Sequence, residues 1–235
     1  MPGYPIIVFV HVALGSIALV AFWSAALMRK GSPRHRAIGR LFLWAMAGVI
    51  ASGVPMVIEF AVFRHKPGIA LFLAYLIAIT ANACWLAWRA VTDKRDWQAM
   101  TRRTGWHLNT GLPLLLGIAV VAMGIATRQA LFIGFGLLGP WLGYSMLRFA
   151  RRGPRVANWH VVQHYQSMLG AGVATHVAFL SIGLRPAWRW LQAHAVVPDA
   201  LVNLFPWFAP LAVALAAGFW LDRRYARPLR RAAMP

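Results

Sequence analysis

The stretch "WHVVQHYQSMLGAGVATHVAFL" sets His160 and His164 four residues apart and His176 twelve residues beyond His164. Imidazole ligates iron, copper and zinc and exchanges protons near neutral pH. On a helix the i, i+4 spacing puts His160 and His164 on nearly one face. Twelve residues turn a helix by about 120° beyond whole turns, so His176 faces elsewhere. Three more histidines stand at or within apolar runs: His11 in "HVALG", His35 in "RHRAIGR" and His107 in "GWHLN". Glu59 is the one acidic residue deep in an apolar run, where a carboxylate is costly unless paired or hydrated.

Two chemistries compete for these residues. A b-type haem takes imidazole ligands, commonly one per face, with small and aromatic residues around the ring and basic groups near its propionates. His11 with His176, the leading pair, and His164 with His107 or His35 supply such ligands at two depths, with His160 beside the second. The levels on one helix differ by about 18 Å, room for two groups, although twelve residues departs from the near-14-residue spacing of diheme helices. Alternatively His11, His176 and Glu59 form a transition-metal or proton site with no haem-sized space. A third reading makes the histidines polar contacts between packed helices, with no cofactor. Gly170, Ala171, Gly172 and Ala174 suit close approach of either a backbone or a flat ring. No nucleophile elbow, phosphate loop, HExxH or carboxylate dyad occurs, and no catalytic residue is assigned.

The elements that must hold these side chains follow from composition. Hydrophobic residues make up 60% of the 235 and charged residues 12%, which no soluble domain surface accommodates. Seven stretches reach the roughly 20 residues needed to cross hydrocarbon: about 5–28, 38–63, 68–91, 109–127, 129–149, 160–184 and 204–222. The expectation is an all-α polytopic bundle of seven transmembrane helices forming a single domain over 1–235. Counted with their flanking turns, the connections after spans 1, 3 and 5 and the C-terminal tail hold 5, 5, 4 and 5 Lys or Arg. Those after spans 2, 4 and 6 hold 2, 1 and 2. The positive-inside rule then puts the N-terminus outside and the C-terminus inside. His11, His176 and Glu59 fall about 9, 12 and 6 Å below the outer end, while His35, His107, His160 and His164 fall near the inner one.

The net charge of +19 sits at helix ends on one membrane face, which suits anionic lipid and not nucleic acid. Cys84 is the single cysteine, excluding an internal disulfide and covalent c-type haem attachment. The first apolar run lacks a basic segment before it and is expected to stay as helix 1. Trp23 and Trp188 read as members of interfacial aromatic belts. Residues 185–203, with Trp188, Trp190, Leu191 and Val196, suggest a short interfacial helix. Arg29-Lys30-Gly31 before His35, Arg102-Arg103 with Gly105 before His107, and Arg151-Arg152-Gly153 before His160 echo one another. They form either a cationic ring for carboxylates or phosphates or ordinary positive-inside loops.

"HVALGSIALVAFWSAALMRKGSPRHRAIGRLFLWAM", with His11-x3-Gly15, Lys30-Gly31, His35-Arg36 and Gly39, and "HVVQHYQSMLGAGVATHVAFL" together resemble an uncharacterised family of predicted multi-pass bacterial membrane proteins. That resemblance covers about a third of the chain and implies the bacterial inner membrane but no settled activity. There is a looser likeness to small b-type cytochromes and ferric-reductase-like domains. The leading expectation is an inner-membrane redox protein binding haem b and passing electrons from a quinol or another redox partner. The alternatives are a metal-ion or proton-coupled transporter and a non-catalytic assembly protein. Arg34-His35-Arg36 is either a lipid anchor or a site; the site reading has His35 turned inward near His107 or His164, with both arginines outward.

Overall fold

The computed structural model describes residues 1, 3–194 and 197–228. Helix α1 (Tyr4–Leu27) leads through a tight basic turn to α2 (Pro33–Ile58), which ends in a π-helical turn, Glu59–Phe63. Then come α3 (Pro67–Thr92), the short α4 (Trp97–Thr101) and α5 (Thr104–Ala126). After these follow α6 (Ala130–Gly136), α7 (Leu138–Arg152) and α8 (Trp159–Ala178), which again closes in a π-helical turn, Phe179–Gly183. The last elements are α9 (Arg185–His194) and α10 (Asp199–Tyr225). Six helices are long and apolar enough to span a bilayer. A seventh span results if Trp159–Gly183 and α9, bent by 50° to each other, count as one. Ile6, Phe9, Val20, Leu27, Leu115, Ile125 and Val213 stand exposed around this all-helical, multi-pass bundle, a surface that only lipid solvates well.

Several boundaries lie outside the apolar runs. Ser32 accepts a hydrogen bond from the His35 backbone N–H at 3.1 Å, and Pro33 occupies the first helical position, so α2 begins five residues before the run expected from hydropathy. His35 therefore lies inside the first turn. Helix α5 likewise starts at Thr104 and includes His107, and the expected span 129–149 is interrupted at Leu137. Helix α9 occupies the segment expected to hold an interfacial helix; Val196 lies outside the described residues. Pro55 withholds a backbone N–H from α2, and the Glu59 N–H is shared between the Pro55 and Met56 carbonyls as the helix widens.

Helix α3 is central, packed against α2, α5 and α8, with Phe72, Tyr75, Thr80, Asn82 and Leu86 buried. One core of Ala18, Ala21, Phe42, Ala45, Met46 and Ala171 joins α1, α2 and α8. A second around Tyr75, Val120, Phe135 and Val177 joins α3, α5, α6 and α8. A third, of Leu86, Met100, Trp106, Met146 and Trp159, closes the end of the bundle where the arginine-rich connections lie. Buried polar groups are paired across helices: Asn82 Nδ2 donates to the Asn109 carbonyl at 2.6 Å, and Tyr75 OH to the Phe135 carbonyl at 2.7 Å.

Helices α5 and α7 meet backbone to backbone through glycine. A Cβ on Gly139 would stand 2.1 Å from the Pro113 carbonyl oxygen, and one on Gly117 would stand 2.9 Å from the Gly139 Cα. Small residues at such crossings let membrane helices gain van der Waals contact without strain. Gly111, on the same α5, faces open space. Gly139→Ala is expected to lower stability by about 1–3 kcal/mol as the helices are forced apart. Gly111→Ala is expected to be neutral or stabilising by up to about 1 kcal/mol. Thermal unfolding of the two variants in detergent measures the contrast.

Candidate functional site

The outer histidines are held separately. His11 Nδ1 lies 3.0 Å from Ser52 Oγ on α2, and the Ser52 hydroxyl donates to the Gly48 carbonyl at 2.7 Å. Its proton being committed there, Ser52 accepts and His11 donates from Nδ1. His176 lies against α1 twelve residues further on, at Trp23, whose Nε1–H donates to His176 Nε2 at 2.9 Å. The Nδ1–H of His176 reaches the Gly172 carbonyl at 2.7 Å, and its ring meets Phe22 edge-on at 5.4 Å. Both nitrogens of His176 are thus engaged. Twelve residues of α1 rise about 18 Å. Trp23 and His176 meet because helical side chains lean toward their own N-termini, and these two helices run in opposite directions.

Glu59 is buried and has a cation on each oxygen: the Met1 ammonium 2.9 Å from Oε2 and Arg64 Nε 3.1 Å from Oε1. Arg64 also covers the Tyr4 ring at 5.0 Å. The carboxylate expected to join His11 and His176 is therefore satisfied by cations at the end of α2. No group of three or more His, Cys, Asp or Glu with metal-holding geometry occurs among the described residues.

At the basic end two further imidazoles are anchored. His35, half-buried between exposed Arg34 and Arg36, has Nδ1 3.0 Å from the Ala25 carbonyl near the end of α1. His164, also half-buried, has Nδ1 3.0 Å from the Ala87 carbonyl on α3. His35 in the first turn of α2 and His164 in the second turn of α8 both stand toward the end that carries the basic connections. A carbonyl only accepts, so each ring donates from Nδ1, and in the neutral ring Nε2 keeps its lone pair. Anchoring of this kind is what orients a ligating imidazole. Lys30 donates to the terminal Ala25 and Ala26 carbonyls of α1, and burial holds its ammonium below the ordinary lysine range.

His35 turns its ring to the Ala25 carbonyl of α1, while Arg34 and Arg36 stand exposed on either side. His107 is exposed on α5, a helix whose extended contacts are with α3, α6 and α7. His160 packs edge-on beside Trp159 while His164 reaches the Ala87 carbonyl on α3, so the i, i+4 face they share splits between neighbours. The small-residue face of α8 is filled by protein: a Cβ on Gly172 would stand 2.5 Å from the Phe22 ring, and one on Gly170 would touch the Ala83 Cβ at 3.7 Å.

Sequence reasoning passed over Ser52 and the role of Trp23, read only as a belt residue. It also passed over Asp222 on α10, which accepts hydrogen bonds from Tyr165 OH and Gln166 Nε2 and ties α10 to α8. A carboxylate in the last turn of an apolar helix was the available signal. Comparison of the chain with protein-family models, curated proteins and solved structures returns no match.

If Trp23 and His176 hold α1 to α8 through their shared bond, Trp23→Phe and His176→Ala will be non-additive in a double-mutant cycle. The expected coupling is about 0.5–1.5 kcal/mol, read from unfolding in detergent.

Proposed function

We propose that this chain is a multi-pass redox protein of the bacterial inner membrane, with His35 and His164 as the imidazole donors to an iron-bearing group of the haem b class. The observation that carries this reading is that two half-buried imidazoles, on α2 and α8, are each anchored through Nδ1 to a carbonyl and, among the described residues, each keep Nε2 without a partner. Two imidazoles are a donor set that haem b takes, and Lys30, Arg34 and Arg36, beside His35 in the chain, would supply cations for its propionates. When bound, the iron supplies a one-electron couple suited to exchange with a quinol or a redox partner. The protein's own contribution is to fix both tautomers and keep water from the buried side of each ring.

Among the described residues His11 Nε2 has no hydrogen-bond partner, but His176 Nε2 is taken by Trp23, so His35 and His164 are preferred as the donors. The same reading places the N-terminus outside, the C-terminus inside and the basic end among anionic lipid head groups, supported by the distribution of Lys and Arg.

The test is an absorption spectrum and metal analysis of the full chain purified from haem-supplemented cells. A Soret band with roughly one iron per chain is the expected result. A bound transition metal without a Soret band would transfer the pair to the metal-ion reading. A colourless, metal-free protein would leave only the assembly role.

A further inference from the structure

A second grouping of cations, distinct from the histidine pair, lies where α3 ends and α5 begins. Trp85, Arg89, Arg102, Arg103, Thr104 and Gly105 line an open cavity of about 490 Å³ at the basic end. Two guanidinium groups share one carboxylate: Asp93 Oδ2 lies 2.5 Å from Arg89 Nη2 and 3.3 Å from Arg103 Nε. Arg102 is exposed and has no ion pair among the described residues, leaving two positive charges uncompensated in the lining. Arg89 Nε is buried without a hydrogen-bond partner among the described residues. Nη2 meets Asp93 without the alignment of a hydrogen bond. That inaccessible N–H is part of the cost of holding Arg89 against Asp93; the donors open to a ligand are the exposed guanidinium groups of Arg102 and Arg103.

The first turn of the 23-residue α5 opens on the same space, with no side chain capping it. Its free N–H groups and dipole favour an anion. Gly105 permits this arrangement: a Cβ there would stand 3.0 Å from Trp85 Nε1, so glycine lets the indole lie against the helix start and close one wall. Cationic groups and N–H donors converge from α3, the turn before α5 and α5 itself, which suits a tetrahedral oxyanion better than a planar carboxylate already represented by Asp93.

We propose that this cavity is a phosphate-binding site, held by Arg89, Arg102, Arg103 and the start of α5. Its phosphate comes either from an anionic lipid head group at the membrane surface or from free phosphate.

The test uses the full chain in detergent, with two arms. Native mass spectrometry follows binding of phosphatidylglycerol against phosphatidylcholine. Thermal unfolding follows inorganic phosphate against chloride at fixed ionic strength. Arg102→Glu, exposed and unpaired, probes the cavity; Arg151→Glu, exposed outside it, makes the same charge change. Saturable binding in at least one arm, weakened roughly tenfold or more by Arg102→Glu and less than about twofold by Arg151→Glu, supports the site. Response to the lipid alone assigns the head group; response to phosphate alone or to both admits free phosphate. The proposal is overturned if neither arm saturates, or if Arg151→Glu weakens binding as much as Arg102→Glu.

Discussion

A carbonyl oxygen accepts hydrogen bonds and never donates one, and the placement of this chain's imidazoles depends on that asymmetry. His35, His164 and His176 each bring Nδ1 to a main-chain carbonyl, which fixes the proton on Nδ1. Their difference lies at Nε2. At His176 the Trp23 indole already occupies it; at His35 and His164 it remains available. The same bond type therefore serves helix packing at one end of α8 and a candidate ligand pair at the other. In hydrocarbon, where water cannot satisfy a stray N–H, such anchoring keeps a ring in one orientation.

The supports of the pair are local and cheap in sequence. Ser32 and Pro33 start α2 early enough to place His35 beside the last turn of α1, and Lys30 ties down the terminal carbonyls of that turn. Helix α8 is positioned by contact with α3 on one side and by Ala171 and Gly172 against α1 on the other. The glycine contacts of α5 with α7 do the equivalent work in the other half, where Trp85 and Gly105 shape the arginine-lined cavity.

Much of the helical order was legible because hydropathy alone marks segments that must be buried in lipid. The starts of α2 and α5 were not, since a window of apolar residues stops at the first charges while Ser32 capping and the arginine-bearing turns extend the helices beyond it. Depth along a helix grouped His35 with His164, each of which the structure anchors to a different carbonyl, Ala25 and Ala87. It also grouped His11 with His176 and Glu59, which the structure attaches to Ser52, Trp23 and a pair of cations. Rise per residue carries no information on which neighbour a side chain faces or how far a Trp leans toward its own N-terminus.

The central claim is that the cofactor chemistry belongs to His35 and His164. The most direct measurement is cofactor content per folded chain in four single variants, His11→Ala, His35→Ala, His164→Ala and His176→Ala, each purified in the same way. The account predicts that His35→Ala and His164→Ala lose the bound iron while His11→Ala and His176→Ala retain it. Loss in His11→Ala or His176→Ala with retention in His35→Ala and His164→Ala would contradict it.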